Sequence, residues 1–361
     1  MVQQIPNEEL LDYFPYFKNH KLANLLAQCL VRSTAIGYVD SLENPEILAF
    51  KGYLWYLTGN YKSSKLKEIL AKIPEKNVII LPEKKNQEWA TILKRHWKFV
   101  SFFPRTALSA KKLSLAKIKK LIKPLPKEFE LKQVDVATSK HLESHWPNSH
   151  KITHSGGPEK FVKEFIAFCI KEGEKVVSLG CSDKSSIRIT KSVEVDVQTL
   201  AEYRGQGFAT IVTSKLIEYC LERGIEPHWD AMNELSADLA LKIGYTNPEP
   251  YRCYYWRKEP WKLEEFQKVF DPQFEKGIDE MAKFQSAIEE IQLTGQVDEV
   301  NRFITSSYLK IGSLFKNILF YINIILETKI VAKSDEPQLT SYSEKIHNQL
   351  EKLERFRKAL D

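Results

Sequence analysis

The sequence predicts an α/β chain followed by an all-α antiparallel three-helix bundle, and three observations predict it. Up to residue 257, short alternating stretches of strand type take turns with helical stripes. Within that part, "EYRGQGFAT" (202–210) places two of the chain's 14 glycines one residue apart, between an alternating stretch and a long apolar-periodic one. From residue 260 the pattern changes to apolar positions stepping by three and four. These changes divide the chain into an N-terminal α/β domain (1–108), a basic connector (109–126), a second α/β domain (127–257) and a helical bundle (260–361).

The elements follow in order. Asn7 to Val31 is helical in pattern. NPEILAFKGYLWYLTGN reads as two short strands around Gly52, and KNVIILP as a buried-type strand stopped by Pro82. In the connector, Leu115, Ile118 and Ile122 form a stripe with lysines on the other face, which suits a solvated amphipathic helix or a basic patch. EFELKQV restarts the alternation. Phe161, Phe165 and Phe168 recur at helical spacing, predicting a helix from Pro158 to Lys171 with Ser155 as its cap and Pro158 in its first turn. KVVSLGC, SSIRITK and SVEVDVQ read as a three-strand meander. A helix entered through GQGFAT runs to Glu222 and is closed by Gly224. EPHWDAM is a strand, NELSADLALKIGY a short helix ending at Gly244, and YRCYYW a last strand. In the bundle, Asp271–Pro272 reads as the first start. Stripes then run from Phe274 to Ile291, from Val297 through Ile304 to Ile325, and from Ile346 to Leu360.

Composition narrows the function classes. The five cysteines are scattered, with no CxxC pair, which predicts a reducing compartment and argues against a disulfide framework or a structural zinc site. The first residues are charged early and lack an apolar signal core. The longest apolar run, Ile311 to Leu326, is interrupted by Lys316, Asn317 and Asn323 and reads as a buried helix face rather than a membrane span. The expectation is a cytoplasmic protein. Residues 258–361 carry a net charge of −3 and the first 257 residues +9. No Arg–aromatic interleaving accompanies the basic excess, so nucleic acid is not an expected partner.

Chemistry concentrates in two places. Two glycines before a helix can turn several N–H groups toward one anion, phosphate above all, or can make a tight turn. No Lys-Ser/Thr follows as a P-loop needs, and Thr210 stands where GxGxxG would have its third glycine. What remains is R-x-x-G-x-A, carried by Arg204, Gly207 and Ala209. Just upstream, Glu194 and Asp196 alternate with valines, which puts both carboxylates on one strand face; that face lines a solvated groove or does chemistry. His141, His145, His150 and His154 cluster in SKHLESHWPNSHKITHSGG, but no Cys or close acidic pair completes a metal set, and no metal is expected. A flap with Trp146 packing in it is the reading for that segment.

The R-x-x-G-x-A turn resembles the pyrophosphate loop of the GNAT N-acetyltransferases, whose motif is Q/R-x-x-G-x-G/A. The resemblance extends through the WDxxNxxSxxLAxKxGY block from Trp229 to Tyr245, and over about residues 1–257 the layout is similar to the zwittermicin A resistance acetyltransferase family. It implies a mixed sheet splayed into a V, preceded by a smaller α/β half, which grips acetyl-CoA between Val193–Gln198 and Glu226–Met232. By this resemblance the backbone of Gly205, Gln206, Gly207, Phe208 and Ala209 takes the pyrophosphate, with Arg204 meeting a phosphate or capping the turn. The strand edge around Asp196, Val197 and Gln198 pairs with the pantetheine arm. Asn233 holds that arm or a water, and Ser236 caps the next helix or meets the thiol end. Acetyl transfer needs a neutral amine. Glu194 is then the base, directly or through water, and Asp196 attracts a cationic acceptor. Many members place a general-acid tyrosine where this chain has Ala240. The expected activity is direct acetyl transfer to a small amine-bearing molecule in a ternary complex. The alternatives are an acyltransferase of the glycine-conjugating type and a non-catalytic acyl-CoA-binding adaptor that recruits a protein partner through residues 260–361.

Overall fold

Long-range pairing decides which of the predicted stretches become strands. The computed structural model describes residues 1–146, 150–294 and 300–358. Two compact units are present: Met1–Lys98, Phe103–Thr199 and Ala209–Trp256 form one, while Phe99–Phe102, Leu200–Phe208 and the residues from Arg257 onward form the other.

The first unit opens with β1 (Gln3–Gln4), α1 (Ala23–Val31), β2 (Ile36–Val39), β3 (Ile47–Lys51), β4 (Trp55–Gly59), α2 (Leu66–Leu70), β5 (Ile79–Ile80), α3 (Asn86–His96), β6 (Phe99–Ser109) and α4 (Leu115–Leu121). It continues through β7 (Phe129–Gln133), α5 (Val136–His145), α6 (His150–Ser155), α7 (Pro158–Glu164), β8 (Phe165–Glu172), β9 (Lys175–Asp183) and α8 (Ile187–Thr190). β10 (Ser192–Glu194), β11 (Asp196–Thr199), α9 (Phe208–Glu222), β12 (Glu226–Ala231), α10 (Glu234–Ile243) and β13 (Thr246–Arg257) complete it. A nine-stranded mixed sheet runs β1-β2-β3-β4-β5-β13-β6-β12-β10, and a four-stranded sheet runs β11-β9-β8-β7. This is the mixed α/β architecture expected from the sequence. The N-terminal core gathers Phe17, Leu26, Val39, Phe50 and Tyr56 under β2–β4.

Several expected elements are corrected. The N-terminal helix is two pieces: a 3-10 turn over Leu10–Tyr16 that contains Pro15, then α1, entered through Leu22 at a left-handed φ of 58°. The helix expected to reach Lys171 stops at Glu164. From Phe165 the chain is β8, because strands on both sides claim its backbone: β8 pairs with β7 (Phe168 opposite Gln133) and with β9 (Phe165 opposite Asp183). Its aromatics fit helical and strand spacing alike, and pairing decides. Gly157, not Ser155, occupies the cap position of α7, while Pro158 does stand in its first turn. SSIRITK is the short helix α8 rather than a strand. The SVEVDVQ strand is broken at Val195 into β10 and β11. β6 went unpredicted, although WKFVSFFPRTALS is aromatic and β-branched enough for a strand.

In the second unit, α11 (Leu263–Thr294), α12 (Val300–Glu327) and α13 (Glu336–Lys358) form the C-terminal helical region. α11 passes through Pro272 and starts at Leu263, whose N–H donates to the Asp335 carboxylate at 2.8 Å. That partner is 72 residues away, so no local pattern could reveal the start. The helices meet through rings: Phe270 with Tyr321, Phe274 with Phe315, and Phe266 with Tyr342. The stretch Ser307–Glu327 is long and apolar enough to cross a membrane by length and composition. Ile311, Phe315, Ile318 and Ile322 within it are fully buried. Val297 and Leu360 of the expected stripes lie outside the described residues, as do the side chains of Ile291, Val300 and Ile304.

One cap offers a clean check on this reading. Asp135 accepts the Thr138 N–H at 2.7 Å at the start of α5, satisfying a donor that the helix cannot satisfy itself. Asp135→Ala is expected to cost about 1 kcal/mol of stability in a denaturant titration.

Candidate active site

The site begins where two strands separate. β10 pairs in parallel with β12, Ser192 opposite Glu226 and Glu194 opposite His228. The Val195 N–H then donates to the His228 carbonyl at 2.9 Å. Beyond that bond the strands take different partners. Asp196–Thr199 pairs antiparallel with Cys181–Ser178, while Trp229–Ala231 pairs with Leu108–Thr106. The result is a V, with β11 as the edge strand of its own sheet.

At the vertex the side chains are polar and interlocked. Glu194 accepts from Asn24 Nδ2 at 2.8 Å, from His228 Nδ1 at 2.6 Å and from the Asp230 backbone N–H at 3.0 Å. Asp230 in turn accepts from Arg105 Nε and from the Tyr251 hydroxyl at 2.7 Å. Arg105 also reaches the Asp230 carbonyl at 3.3 Å. Asn24 comes from α1, Arg105 from β6 and Tyr251 from β13, so three distant segments converge on two strands. Burial raises the Asp230 carboxyl above its usual range and the nearby Glu194 adds to this; Arg105 opposes both. Burial is the largest single influence on the His228 imidazole and lowers it, yet the combined pull of Glu194, Asp230 and Glu226 outweighs it and the pKa is raised.

The two carboxylates noted in the sequence therefore have different surroundings. Asp196 lies with Gln198 in a small recess of about 20 Å³, walled by Trp146, Ile152, Phe161, Leu179 and Cys181. The Trp146 indole N–H donates to Gln198 Oε1 at 3.1 Å, which fixes the ring of that expected flap residue. The other strand face, where Val197 and Thr199 lie opposite Gly180 and Ser178, is turned toward α9: a Cβ on Gly180 would stand 3.5 Å from the Val212 carbonyl.

The glycine turn joins β11 to α9. Gly205 and Gly207 have φ of 81° and 83°, a region that side chains disfavour. A Cβ on Gly207 would meet nothing within 4 Å, so backbone conformation rather than crowding demands the glycine. Arg204 and Gln206 are half-buried, Phe208 is buried and Ala209 half-buried as α9 begins. Backbone N–H groups at a helix start lack intrahelical partners. Open space beside the second glycine and a helix start directly after it fit a phosphate group. Downstream, Asn233 is the N-cap of α10, its Oδ1 accepting the Ser236 N–H at 3.0 Å. Ser236 is thus not the cap; its hydroxyl accepts from the Trp229 indole at 3.1 Å. Ala240 is fully buried. The rings of His141 and His145 stack at 4.5 Å, and the side chains of His150 and His154 lie outside the described residues. Among the described residues no group of three or more His, Cys, Asp or Glu is placed to hold a metal ion.

His228, Asp230, Arg105, Tyr251 and Asn24 were missed in the sequence. EPHWDAM did signal two ionisable residues alternating on a strand, the pattern that drew attention to Glu194 and Asp196. Asn24 and Arg105 carried no local signal.

Arg105→Met removes the cation from a carboxylate whose side chain is wholly buried and is expected to cost about 3–5 kcal/mol, with Asp230→Asn in the same chain recovering part of it; chemical denaturation of the single and double variants measures both. Because the folded-state pKa of His228 is raised, its pairing stabilises the fold fully below the unfolded value near 6.5 and is lost as pH rises through the folded value. His228→Gln should therefore destabilise the chain more at pH 6 than at pH 9, read from thermal unfolding at the two values.

Comparison with known proteins agrees with this geometry. A family model described as GNAT acetyltransferase matches residues 15–254. The uncharacterized N-acetyltransferase YdfB of Bacillus subtilis (strain 168) is 32% identical over 134 residues, which cover 36% of this chain and 49% of that protein. The match thus spans about half the length of that curated relative. The crystal structure of a GCN5-related N-acetyltransferase-like protein from Streptococcus suis 89/1591 shares the fold at a TM-score of 0.54 and 24% identity, covering 70% of this chain and 98% of that one. With a family model spanning most of the chain and a strand pair parted at Val195, the protein belongs to the GNAT acetyltransferase family.

Proposed function

We propose that the chain is an acetyl-CoA-dependent N-acetyltransferase of a small amine-bearing molecule, transferring directly in a ternary complex, within the subgroup similar to the zwittermicin A resistance acetyltransferase. The observation that carries this reading is the parting of β10–β11 from β12 after the Val195–His228 bond. An edge strand offers backbone donors and acceptors to an added extended segment, and the pantetheine arm of acetyl-CoA is such a segment.

Acetyl-CoA supplies the acetyl group as a thioester. The chain's own residues do the rest. Gly205 to Ala209 hold the pyrophosphate with backbone N–H groups, and Arg204 adds its charge or closes the turn. The backbone around Asp196, Val197 and Gln198 aligns the arm, and a backbone N–H at the break is suited to polarise the carbonyl. Asn233 stands at the far end of β12, where it borders the arm. Asp196, in an otherwise largely apolar recess, attracts the cationic acceptor. The Glu194 cluster takes the proton that an ammonium must lose before it can attack. With Ala240 where other members carry tyrosine, water protonates the departing thiolate. The C-terminal helices, read as an antiparallel bundle, contribute no reacting group.

The phosphate assignment has a direct test. A side chain at Gly207 meets a strained φ, and a carboxylate there repels phosphate. Gly207→Glu is expected to weaken acetyl-CoA binding by roughly tenfold or more in calorimetry, each 1.4 kcal/mol being a factor of ten, with circular dichroism unchanged. Wild-type affinity in this variant refutes the assignment.

A further inference from the structure

We propose that His228, rather than Glu194, is the group that receives the acceptor's proton, and that Glu194 positions it. The inference rests on the acetyltransferase reading and names one of its working parts.

Glu194 has little hydrogen-bonding capacity left. Glu194 already accepts three donors, from Asn24, His228 and the Asp230 N–H. Its oxygens are occupied on the side of α1 and β12, so little capacity remains for a substrate proton. A carboxylate can only accept, so the imidazole must present its Nδ1–H to Glu194 Oε2. In the neutral ring this leaves the lone pair on Nε2, the nitrogen that Glu194 does not touch. The His228 side chain keeps 29% of its surface exposed, against 14% for Glu194. Of the pair, the imidazole is the member a substrate can approach.

Position supports the same assignment. Glu194 and His228 are the last residues in register before the strands part. An extended arm inserted between the strands would run toward this vertex, and the imidazole is the side chain there that its thioester end would meet. The charged and titratable groups around His228 are Glu194 on β10, Glu226 and Asp230 on β12, Arg105 of β6 bonded to Asp230, and Tyr251 of β13. Carboxylates predominate, and together they raise the imidazole pKa.

The ammonium gives one proton to Nε2. The freed nitrogen lone pair forms the N–C bond, and the C–S electron pair departs with sulfur. The second nitrogen proton passes through water to that sulfur, and His228 releases its proton to solvent. The products are the amide, a free thiol and one proton.

Calorimetry with acetyl-CoA on the wild-type chain comes first. Absence of binding overturns the acetyltransferase reading and this proposal with it. Thiol release from acetyl-CoA is then followed against pH with a panel of primary amines that includes spermidine and tyramine. His228→Gln is expected to keep acetyl-CoA affinity and lose roughly 10²–10⁴-fold in kcat, the usual worth of a general base. In the wild type, kcat/KM rises with pH through the His228 pKa as the neutral imidazole accumulates. Glu194→Gln still accepts the Nδ1–H but lacks the charge, so that limb should move to lower pH while persisting. Nuclear magnetic resonance of the labelled ring reads the pair without turnover. The wild-type midpoint should lie above 6.5 and fall toward it in Glu194→Gln. Acetyl-CoA binding with near wild-type kcat in His228→Gln, loss of the limb in Glu194→Gln alone, or a wild-type ring midpoint at or below 6.5 each overturns the assignment while leaving the acetyltransferase reading intact.

Discussion

One backbone hydrogen bond, from the Val195 N–H to the His228 carbonyl, is the last link between two strands that then go separate ways. Everything chemical in the first unit depends on where that link lies. Parallel pairing stops where β9 takes up Asp196–Thr199, while β6 holds Trp229–Ala231 from the other edge of β12. Backbone groups in a protein interior must be paired, so a strand leaves one neighbour only where another receives it. The two antiparallel ladders hold the V open without help from a ligand.

The same divergence explains why the vertex is polar. Side chains on parted strands cannot pack across the gap as they would in a continuous sheet, and α1, β6 and β13 supply the polar partners of the two carboxylates there. Their contributions are Asn24, Arg105 and Tyr251, each with a hydrogen-bond partner among Glu194 and Asp230. Apolar replacements would fill the volume but leave two carboxylates unpaired, which costs far more than a lost contact. The N-terminal half is thus no mere appendage: through Asn24 it completes the surroundings of Glu194.

Much of this was legible in the sequence where local chemistry determines the outcome. Gly205 and Gly207, Gly224 and Gly244 all have the positive φ that their positions suggested. α9, β12 and α10 fall where GQGFAT, EPHWDAM and NELSADLALKIGY place them. Legibility fails where distant residues decide. Phe165 and Phe168 continue a helical spacing, yet flanking strands make the segment β8. Leu263 starts a helix because Asp335 caps it, and Pro272 inside that helix misled the local reading. In the site, alternation identified Glu194 and Asp196 correctly as ionisable strand residues. It could not show that a break at Val195 intervenes, or that Glu194 is bound on three sides.

The cluster's charge explains its preference for a proton. Glu194 and Asp230 are two carboxylates in buried or half-buried positions, and Arg105 neutralises only the second. Tyr251 and Asn24 donate hydrogen bonds but bring no charge. One negative charge is left uncompensated at low dielectric, where Coulomb interactions are strong. Of the residues bonded to Glu194, His228 alone can acquire a positive charge, and doing so restores the balance. This is the physical reason that attraction to Glu194, together with Asp230 and Glu226, overrides the burial that would otherwise keep the imidazole neutral. Release of the proton re-establishes the imbalance, so the cluster is poised to draw the next one. A carboxylate–imidazole pair at the vertex of parted strands, with its partner charge one short, therefore behaves as a proton acceptor by construction, and the aspartate anchored to Arg105 keeps it so.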